Sequence, residues 1–447
     1  MPVIELDRDA PPASAPSRPP PRLLRPFGLI VTAVLTLALG GAVPAEALVF
    51  KPLGALPVTD PEAAVVLRGG TVYTVTTGPG DRPTTTAWDA ATLARRWTAG
   101  IPVEESRAGT VTGGVTLTTA GDGLLLIGPT YVTTMLDART GRIRWTRPAP
   151  VQSTGAGLGV SQETHFRPGT EYDQASGEPG NLFWSSTGQP HTEPPQRTTV
   201  YGLDLATGER LWADGERGSV RTLPVPGDTG AVVIVAAGHL TLRDGRTGAV
   251  RRTAVLPRTT GLTWAEAAGD LLLMRQGSAD GSGTIAAYEM STLRPVWRTA
   301  EPAADGRAGT CYGLPCRRDL DGLTVLDPRT GRPRWQAAPG QDLSAWGDAV
   351  IELDTFGAPV RLRDRSTGGL RVPLAGWDHF TAAPGLPMLL IRGDPDFSRS
   401  IFGVLGPGGR RVQPLGFGPV GMADCSISAG FVACRAADGL RIWSYRA

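Results

Sequence analysis

The sequence predicts an all-β fold closed into a ring, a β-propeller, with one apolar segment ahead of it. Three observations carry that expectation. The first is an internal repeat, Asp-x-x-Thr-Gly-x-x-x-Trp. It is intact at Asp137, Thr140, Gly141 and Trp145, at Asp204, Thr207, Gly208 and Trp212, and at Asp327, Thr330, Gly331 and Trp335. Worn copies stand at Asp89, Thr92 and Trp97, at Asp244, Thr247 and Gly248, at Glu289, Thr292 and Trp297, and at Asp364, Thr367 and Gly368. The second is spacing. The acidic positions follow one another at 48, 67, 40, 45, 38 and 37 residues, near the period of about 40–45 residues that propeller blades repeat with. The third is what lies between copies. Short apolar runs bounded by turn residues precede each motif, for example Gly114–Ala120, Gly123–Pro129 and Tyr131–Leu136 before Asp137. With the motif's outgoing strand, each unit makes a four-stranded antiparallel sheet.

Turn chemistry accounts for the motif. In Thr324–Ala337 an apolar strand runs into Asp-Pro-Arg-Thr-Gly and leaves through Arg-Pro-Arg-Trp, a hairpin. Gly331 supplies the left-handed position of a type I turn with a bulge. Asp327 accepts from amides two and three residues on, and Thr330 joins the same network. Trp335 buries a large ring whose N–H requires one acceptor. The aspartates therefore read as turn-closing groups and not as catalytic acids. Five of the 11 tryptophans hold the motif's last position (Trp97, Trp145, Trp212, Trp297 and Trp335), which assigns them to packing between strands and blades.

At the level of these residues the hairpin resembles the pyrroloquinoline-quinone-type (PQQ-like) propeller repeat. Quinoprotein alcohol dehydrogenases, the propeller lipoprotein of bacterial outer-membrane assembly and many unassigned bacterial proteins share it. The resemblance spans roughly residues 60–447 and speaks for fold far more than for activity. It implies eight blades, and eight is the expectation. A literal count reaches nine units. Seven carry the motif. An eighth is degenerate, with strands near Met388–Arg392 and Ile401–Leu405 and a turn at Gly406–Gly409. The last, Cys425–Ser428, Phe431–Arg435 and Leu440–Tyr445, lacks a fourth strand that Leu48–Leu56 can supply. Such a closure removes a free sheet edge.

Family dehydrogenases stack the quinone on a disulfide between adjacent cysteines and over a tryptophan. They bind calcium through Glu, Asn and Asp, and use an Asp as base. This chain has no Cys-Cys pair, and its single asparagine, Asn181, falls outside the repeat strands. No catalytic, cofactor-binding or metal-ligating residue is carried over, and neither PQQ nor calcium is expected. Serine-hydrolase, zinc-protease and phosphate-loop motifs are absent too. The four histidines (His165, His191, His239 and His379) are scattered.

The net charge of +2 speaks against a nucleic-acid partner, and a single ring is expected to act as a monomer. Lys51 is the only lysine, and 59 glycines and 40 prolines suit a turn-rich chain. Residues 1–26 are Pro- and Arg-rich and read as a disordered cytoplasmic tail. Residues 27–47 read as a transmembrane anchor or a signal peptide, because Phe27–Val43 is a charge-free run of 17 residues. Arginines ahead of it and Glu46 behind it place the propeller, 48–447, outside the cell membrane. Cleavage near Ala47, after Ala45-Glu46-Ala47, is the secreted alternative.

Four cysteines lie in the exported part. Three pairings are possible, and context selects Cys311–Cys316 and Cys425–Cys434, each pair on the first two strands of its own unit. The repeat is interrupted once. The long gap between Asp137 and Asp204 holds an aromatic and acidic insertion within Gln152–Arg197, with Glu163, His165, Tyr172, Trp184 and His191 as candidate contacts to a partner. Glu163, His165 and His191 could also ligate a metal, set against the plain reading of a solvated loop. The functional expectation is an exported, membrane-anchored scaffold that binds a protein or cell-envelope ligand. The alternatives are a PQQ- or metal-dependent oxidoreductase, and a carbohydrate- or cell-wall-binding or carbohydrate-active domain.

Overall fold

The computed structural model describes residues 50–446, apart from 78–82, 102–114, 129–130, 174, 176, 178–179, 229, 258–260, 278–282, 302–307, 312, 320–321, 384, 395–398 and 421–423. The expected tail at 1–26 and apolar helix at 27–47 lie outside the described residues. Within them, no helix is long and apolar enough to cross a membrane.

Nine four-stranded antiparallel sheets follow one another among the described residues, with a two-stranded hairpin in addition. Blades 1 to 8 span 64–100, 116–147, 151–217, 221–255, 261–301, 308–336, 342–373 and 379–418. Blade 9 combines 425–445 with 50–56. First strands of successive blades touch along much of the ring, and Ala64–Arg68 meets Cys425–Ser428, which closes it. Second and third strands are sandwiched between neighbouring sheets and are buried on both faces. Hence Gly123–Ile127 and Ala231–Ala236 read as near-continuous apolar runs. Fourth strands, such as Arg95–Gly100, form the exposed outer rim.

Eight blades were expected and nine are present. The degenerate unit is a complete blade, because the short strand His379–Thr381, which carries no repeat signal, completes its sheet. Trp377, ahead of that strand, fills the space beside Gly403, where an added Cβ would come within 2.6 Å of the indole. Blade 9 is complete as well. Phe50–Leu56 pairs antiparallel with Gly439–Tyr445, from Phe50 opposite Tyr445 to Leu56 opposite Leu440. Phe50 stacks on Trp443 with ring centroids 5.4 Å apart.

The motif joins blades as well as closing turns. Each motif tryptophan crosses to the following blade, donates its indole N–H to the carbonyl one residue after that blade's aspartate, and packs against its turn glycine. Trp97 donates to Ala138 (3.2 Å), Trp145 to Leu205 (2.9 Å), Trp212 to Gly245 (2.8 Å), Trp297 to Pro328 (2.9 Å) and Trp335 to Arg365 (3.4 Å). A Cβ on Gly141, Gly208, Gly248, Gly331 or Gly368 would stand 2.4–2.6 Å from the ring of the preceding blade's tryptophan. The glycine is thus required twice, for its left-handed φ (+68° at Gly331, +70° at Gly368) and for the approach of the indole.

Two junctions depart from this arrangement. Blade 4 has Arg252 where a tryptophan would stand, and blade 5 answers with Leu293 at the turn position, at φ 56° and 2% exposed. In blade 9 the outer strand carries Gly54, and blade 1 answers with Leu93 at φ 62°. A Cβ on Gly54 would meet Leu93 Cδ1 at 2.5 Å. Where the outer strand supplies no buried aromatic ring, because it carries an exposed arginine or a glycine, the turn residue of the next blade is a leucine that fills the space. The left-handed leucine costs about 1–2 kcal/mol, and burying its side chain offsets that with about 1.5–3 kcal/mol.

Both disulfides form as paired above. Cys425 and Cys434 sit directly opposite on the first two strands of blade 9, with Cα atoms 4.1 Å apart. Cys311 and Cys316 are 5.9 Å apart at Cα. Cys311 lies in the turn after the first strand of blade 6 and not on the strand itself, because its amide is already committed to the Leu314 carbonyl that closes the turn.

Gly331→Ala and Gly368→Ala are expected to destabilise the protein by about 2–4 kcal/mol each, from backbone strain plus overpacking against the indole. Leu293→Gly relieves strain yet is expected to lower the calorimetric unfolding midpoint, by about 1–3 kcal/mol in stability, because it empties the junction. A raised midpoint for Leu293→Gly would show that the leucine does not fill the tryptophan's place.

Candidate functional site

Antiparallel order sorts the loops of every blade onto two faces. Turns joining strands one to two and three to four share one face. Loops joining strands two to three share the other, with the links between blades. All motif turns lie on the first face, and the insertion lies on the second.

On the first face each aspartate divides its two oxygens between two tasks. Asp137 Oδ1 accepts from the amides of Arg139 (3.1 Å) and Thr140 (2.8 Å) and from the Thr140 hydroxyl (2.8 Å). Its Oδ2 pairs with Arg144 at 2.7 Å. Asp204 and Asp327 close their turns in the same way, through Thr207 and Thr330. Arg144 also holds Asp122, from the turn between the first two strands, at 2.8 Å. Arg251 likewise clamps Asp228 and Asp244, and Arg371 clamps Asp348 and Asp364. Sequence reasoning missed these clamps. Their signal is an arginine seven residues after the motif's acidic position, at Arg96, Arg144, Arg251, Arg334 and Arg371. The Arg96 pairing draws the Asp89 carboxyl down to about 2. Arg144 and Arg251 hold Asp137 and Asp244 well below the usual carboxylate range. Asp364 is depressed by the Ser366 hydroxyl first and Arg371 next. Groups tuned this strongly toward the ionised form are poor proton carriers near neutrality.

On the second face the insertion folds back over the ring. Alternation carries strand Leu158–His165 further than the repeat length suggests, and it resumes opposite at Arg197–Asp204. Glu163 and His165 are therefore strand residues and not loop residues. Glu163 accepts from the Tyr201 hydroxyl at 2.8 Å, and His165 lies 3.5 Å from the Thr199 hydroxyl. Tyr172 donates to the Gly177 carbonyl within the loop. His191 is buried, stacked on Phe166 at 3.7 Å and bonded to the Thr170 hydroxyl at 3.0 Å. Burial lowers its pKa and favours the neutral ring. The three residues weighed as metal ligands are thus committed to separate contacts. Among the described residues no group of three His, Cys, Asp or Glu side chains could hold a metal.

The hairpin Phe183–Trp184 with Pro190–His191 is pinned at two points. The Ser186 amide donates to the Thr164 hydroxyl at 2.9 Å. Gly188 lies against the Tyr131 ring of blade 2, where a Cβ would come within 2.2 Å. Beneath it opens a cavity of about 740 Å³, within the usual range for ligand sites. Inner strands of blades 2, 3 and 4 form its walls through Thr118, Gln152, Ser153, Gln162 and Thr222, and Phe183 and Trp184 form its roof. Gln162 Nε2 donates to the Thr222 hydroxyl at 2.9 Å, fixing that amide across blades 3 and 4. Trp184 is 61% exposed. No described residue lining the cavity is charged. A quinone with calcium does not fit this donor set. Among the described residues the cavity offers no carboxylate, and both disulfides lie in other blades, between cysteines that are not adjacent.

Nine sheets in a ring, tryptophan-on-glycine junctions and acidic turn caps define a PQQ-like β-propeller. A family model described as "Outer membrane protein assembly factor BamB" matches residues 129–273 and 196–365, together more than half of the chain, and the chain belongs to this family. Solved structures with a similar fold include BamB from Moraxella catarrhalis, at 14% identity over 89% of this chain and 100% of that one, with a TM-score of 0.42. A eukaryotic initiation factor aligns at 8% identity over 83% and 90%, with a TM-score of 0.50. Sqt1 from Saccharomyces cerevisiae aligns at 9% over 89% and 97%, with a TM-score of 0.42. No curated protein matches the chain.

The clamped carboxylates ionise more readily folded than unfolded. Their stabilisation is present above the ordinary aspartate range near pH 4 and is lost as pH falls, through about 2 for Asp89 and lower still for Asp137 and Asp244. Asp137→Asn should remove roughly 1 kcal/mol of stability at pH 7 and flatten the decline between pH 4 and 2. Denaturant titrations at pH 7, 4 and 2.5 check it, and an unchanged acid slope would count against the clamp.

Proposed function

We propose that this chain is an exported, non-enzymatic binding propeller that receives a protein or cell-envelope ligand in the cleft under Phe183–His191. One observation carries the reading. The single interruption of the repeat folds back and is pinned over the inner strands, making a concave site between the hairpin and blades 2, 3 and 4. The site offers shape and hydrogen bonding, and no nucleophile–base pair lines it among the described residues. The family's description as an assembly factor for outer membrane proteins supports a role in holding another molecule. The apolar run Phe27–Val43 supports a single-pass anchor in the cell membrane with the propeller outside, and cleavage near Ala47 is the other route. In this reading the ring acts as a monomer.

Photo-crosslinking in cells tests the cleft. A crosslinker at position 152 or 184 should capture the ligand. One at Phe356, 93% exposed on a loop of the same face in blade 7, should not. Equal capture from all three positions would overturn the assignment. Membrane fractions should hold the chain at its full 46.8 kDa, and a soluble product starting at Leu48 would replace the anchor with secretion.

A further inference from the structure

We propose that the cleft is a receptor for a neutral glycan, with Trp184 as the platform on which a sugar ring stacks. The inference rests on the binding reading above and narrows it to one ligand class.

Charge is the first ground. Charged residues make up 19% of the chain, so a set as large as the 21 described lining residues would carry about four, yet it carries none. A site selecting a phosphate, a carboxylate or an acidic peptide would use arginine, which the chain has in abundance, and none is among the described lining residues. A cationic ligand would need a carboxylate, and none is among them either.

The second ground is the kind of polar group present. Thr118, Ser153 and Thr222 bring hydroxyls, and Gln152 and Gln162 bring amides. Each hydroxyl both donates and accepts, and each amide presents both functions side by side. Sugar hydroxyls have the same dual character, and vicinal pairs of them match a carboxamide. Gln162 is already oriented by its bond to Thr222, which limits the entropy lost when a ligand meets it. Anchor points of protein partners are poor in Ser and Thr, which are abundant in this lining.

The third ground is the indole. Trp184 is 61% exposed on a hairpin held by Thr164 and Tyr131, and among the described residues no ring or guanidinium packs on it. A rigidly presented, open aromatic face above a hydroxyl-lined floor suits a pyranose. The axial C–H groups of the sugar are apolar and slightly positive and meet the negative face of the ring, while its equatorial hydroxyls reach the walls.

The test uses the full-length chain in a detergent without a sugar headgroup. Tetrasaccharides of β-1,4-linked N-acetylglucosamine, β-1,4-glucose and α-1,4-glucose are titrated calorimetrically, beside an oligogalacturonate and a Gly/Ser/Thr octapeptide. At least one neutral tetrasaccharide should bind, with less than about twofold change between 50 and 500 mM salt because no ion pair is involved. Trp184→Ala should weaken it by about tenfold or more, and Trp184→Phe should keep it within about threefold. The side chain is exposed, so the unfolding midpoint should not move. Binding of the octapeptide alone, lost in Trp184→Ala, would overturn the glycan and leave the binding cleft standing. Glycan binding indifferent to Trp184→Ala and Gln162→Ala would overturn this site. If neither class binds and crosslinks from 152 and 184 capture nothing, both readings fall.

Discussion

Five of the nine junctions among the described residues depend on one contact, an indole packed on a glycine. The contact is directional. The large residue comes from the outer strand of one blade and the small one from the turn of the next, and the indole N–H finds its acceptor in that same turn. A sheet has no intrinsic preference for the angle at which it meets its neighbour. This contact sets that angle by combining van der Waals contact, one hydrogen bond and the absence of a Cβ. Repetition around the ring turns a local preference into a global curvature. The aspartate and arginine clamps act one level lower, since they hold each turn in the shape that offers its glycine and carbonyl to the incoming ring.

Much of this was legible in the residues. The repeat disclosed the hairpin, the left-handed glycine and the turn-capping carboxylate, because each is a local bargain within nine positions. The cysteine pairs were legible through their place before the third strand of each unit. The reciprocal junctions were not. Leu93 and Leu293 look like decayed glycines when each copy is compared with the motif, and make sense only when read against Gly54 and Arg252 in the preceding blade. The clamping arginines recur seven places after five of the acidic positions, a regularity that the turn chemistry of the motif does not call for and that sequence reasoning therefore missed. The blade count failed for a related reason. Blade 8 lacks the motif, and its tryptophan, Trp377, comes from outside the repeat frame.

The cleft was legible only as an excess of residues. Composition marked the insertion as aromatic and acidic and pointed to its glutamates and histidines. Folding sorts those residues differently. His191 becomes the insertion's own core, Glu163 and His165 join a blade strand, and Trp184 with the neutral floor beneath it forms the exposed site. What places them is the contact between Gly188 and Tyr131, over fifty residues apart, and the Thr164 bond to Ser186. Neither has a short-range signature. The division of faces is equally non-local, yet it follows from strand order alone. The clamped turns on one face and the cleft on the other are kept apart by an odd or even number of strand crossings.

Closure by Phe50–Leu56 has a consequence for synthesis. A ribosome makes this strand first and its partner, Gly439–Tyr445, last, so for most of the chain's emergence the strand has an open hydrogen-bonding edge and nothing native to pair with. Such an edge invites another chain. The strand carries Lys51, Pro52 and Gly54 in sequence. These are the chain's only lysine, a residue without an amide proton, and one that interrupts the pairing register at Pro52/Gly54. Each discourages adventitious strand addition. The fourth strand of the last blade is thus written to wait, its own bulge at Pro52/Gly54 suiting it poorly to any edge but that of Gly439–Tyr445 beside Leu93.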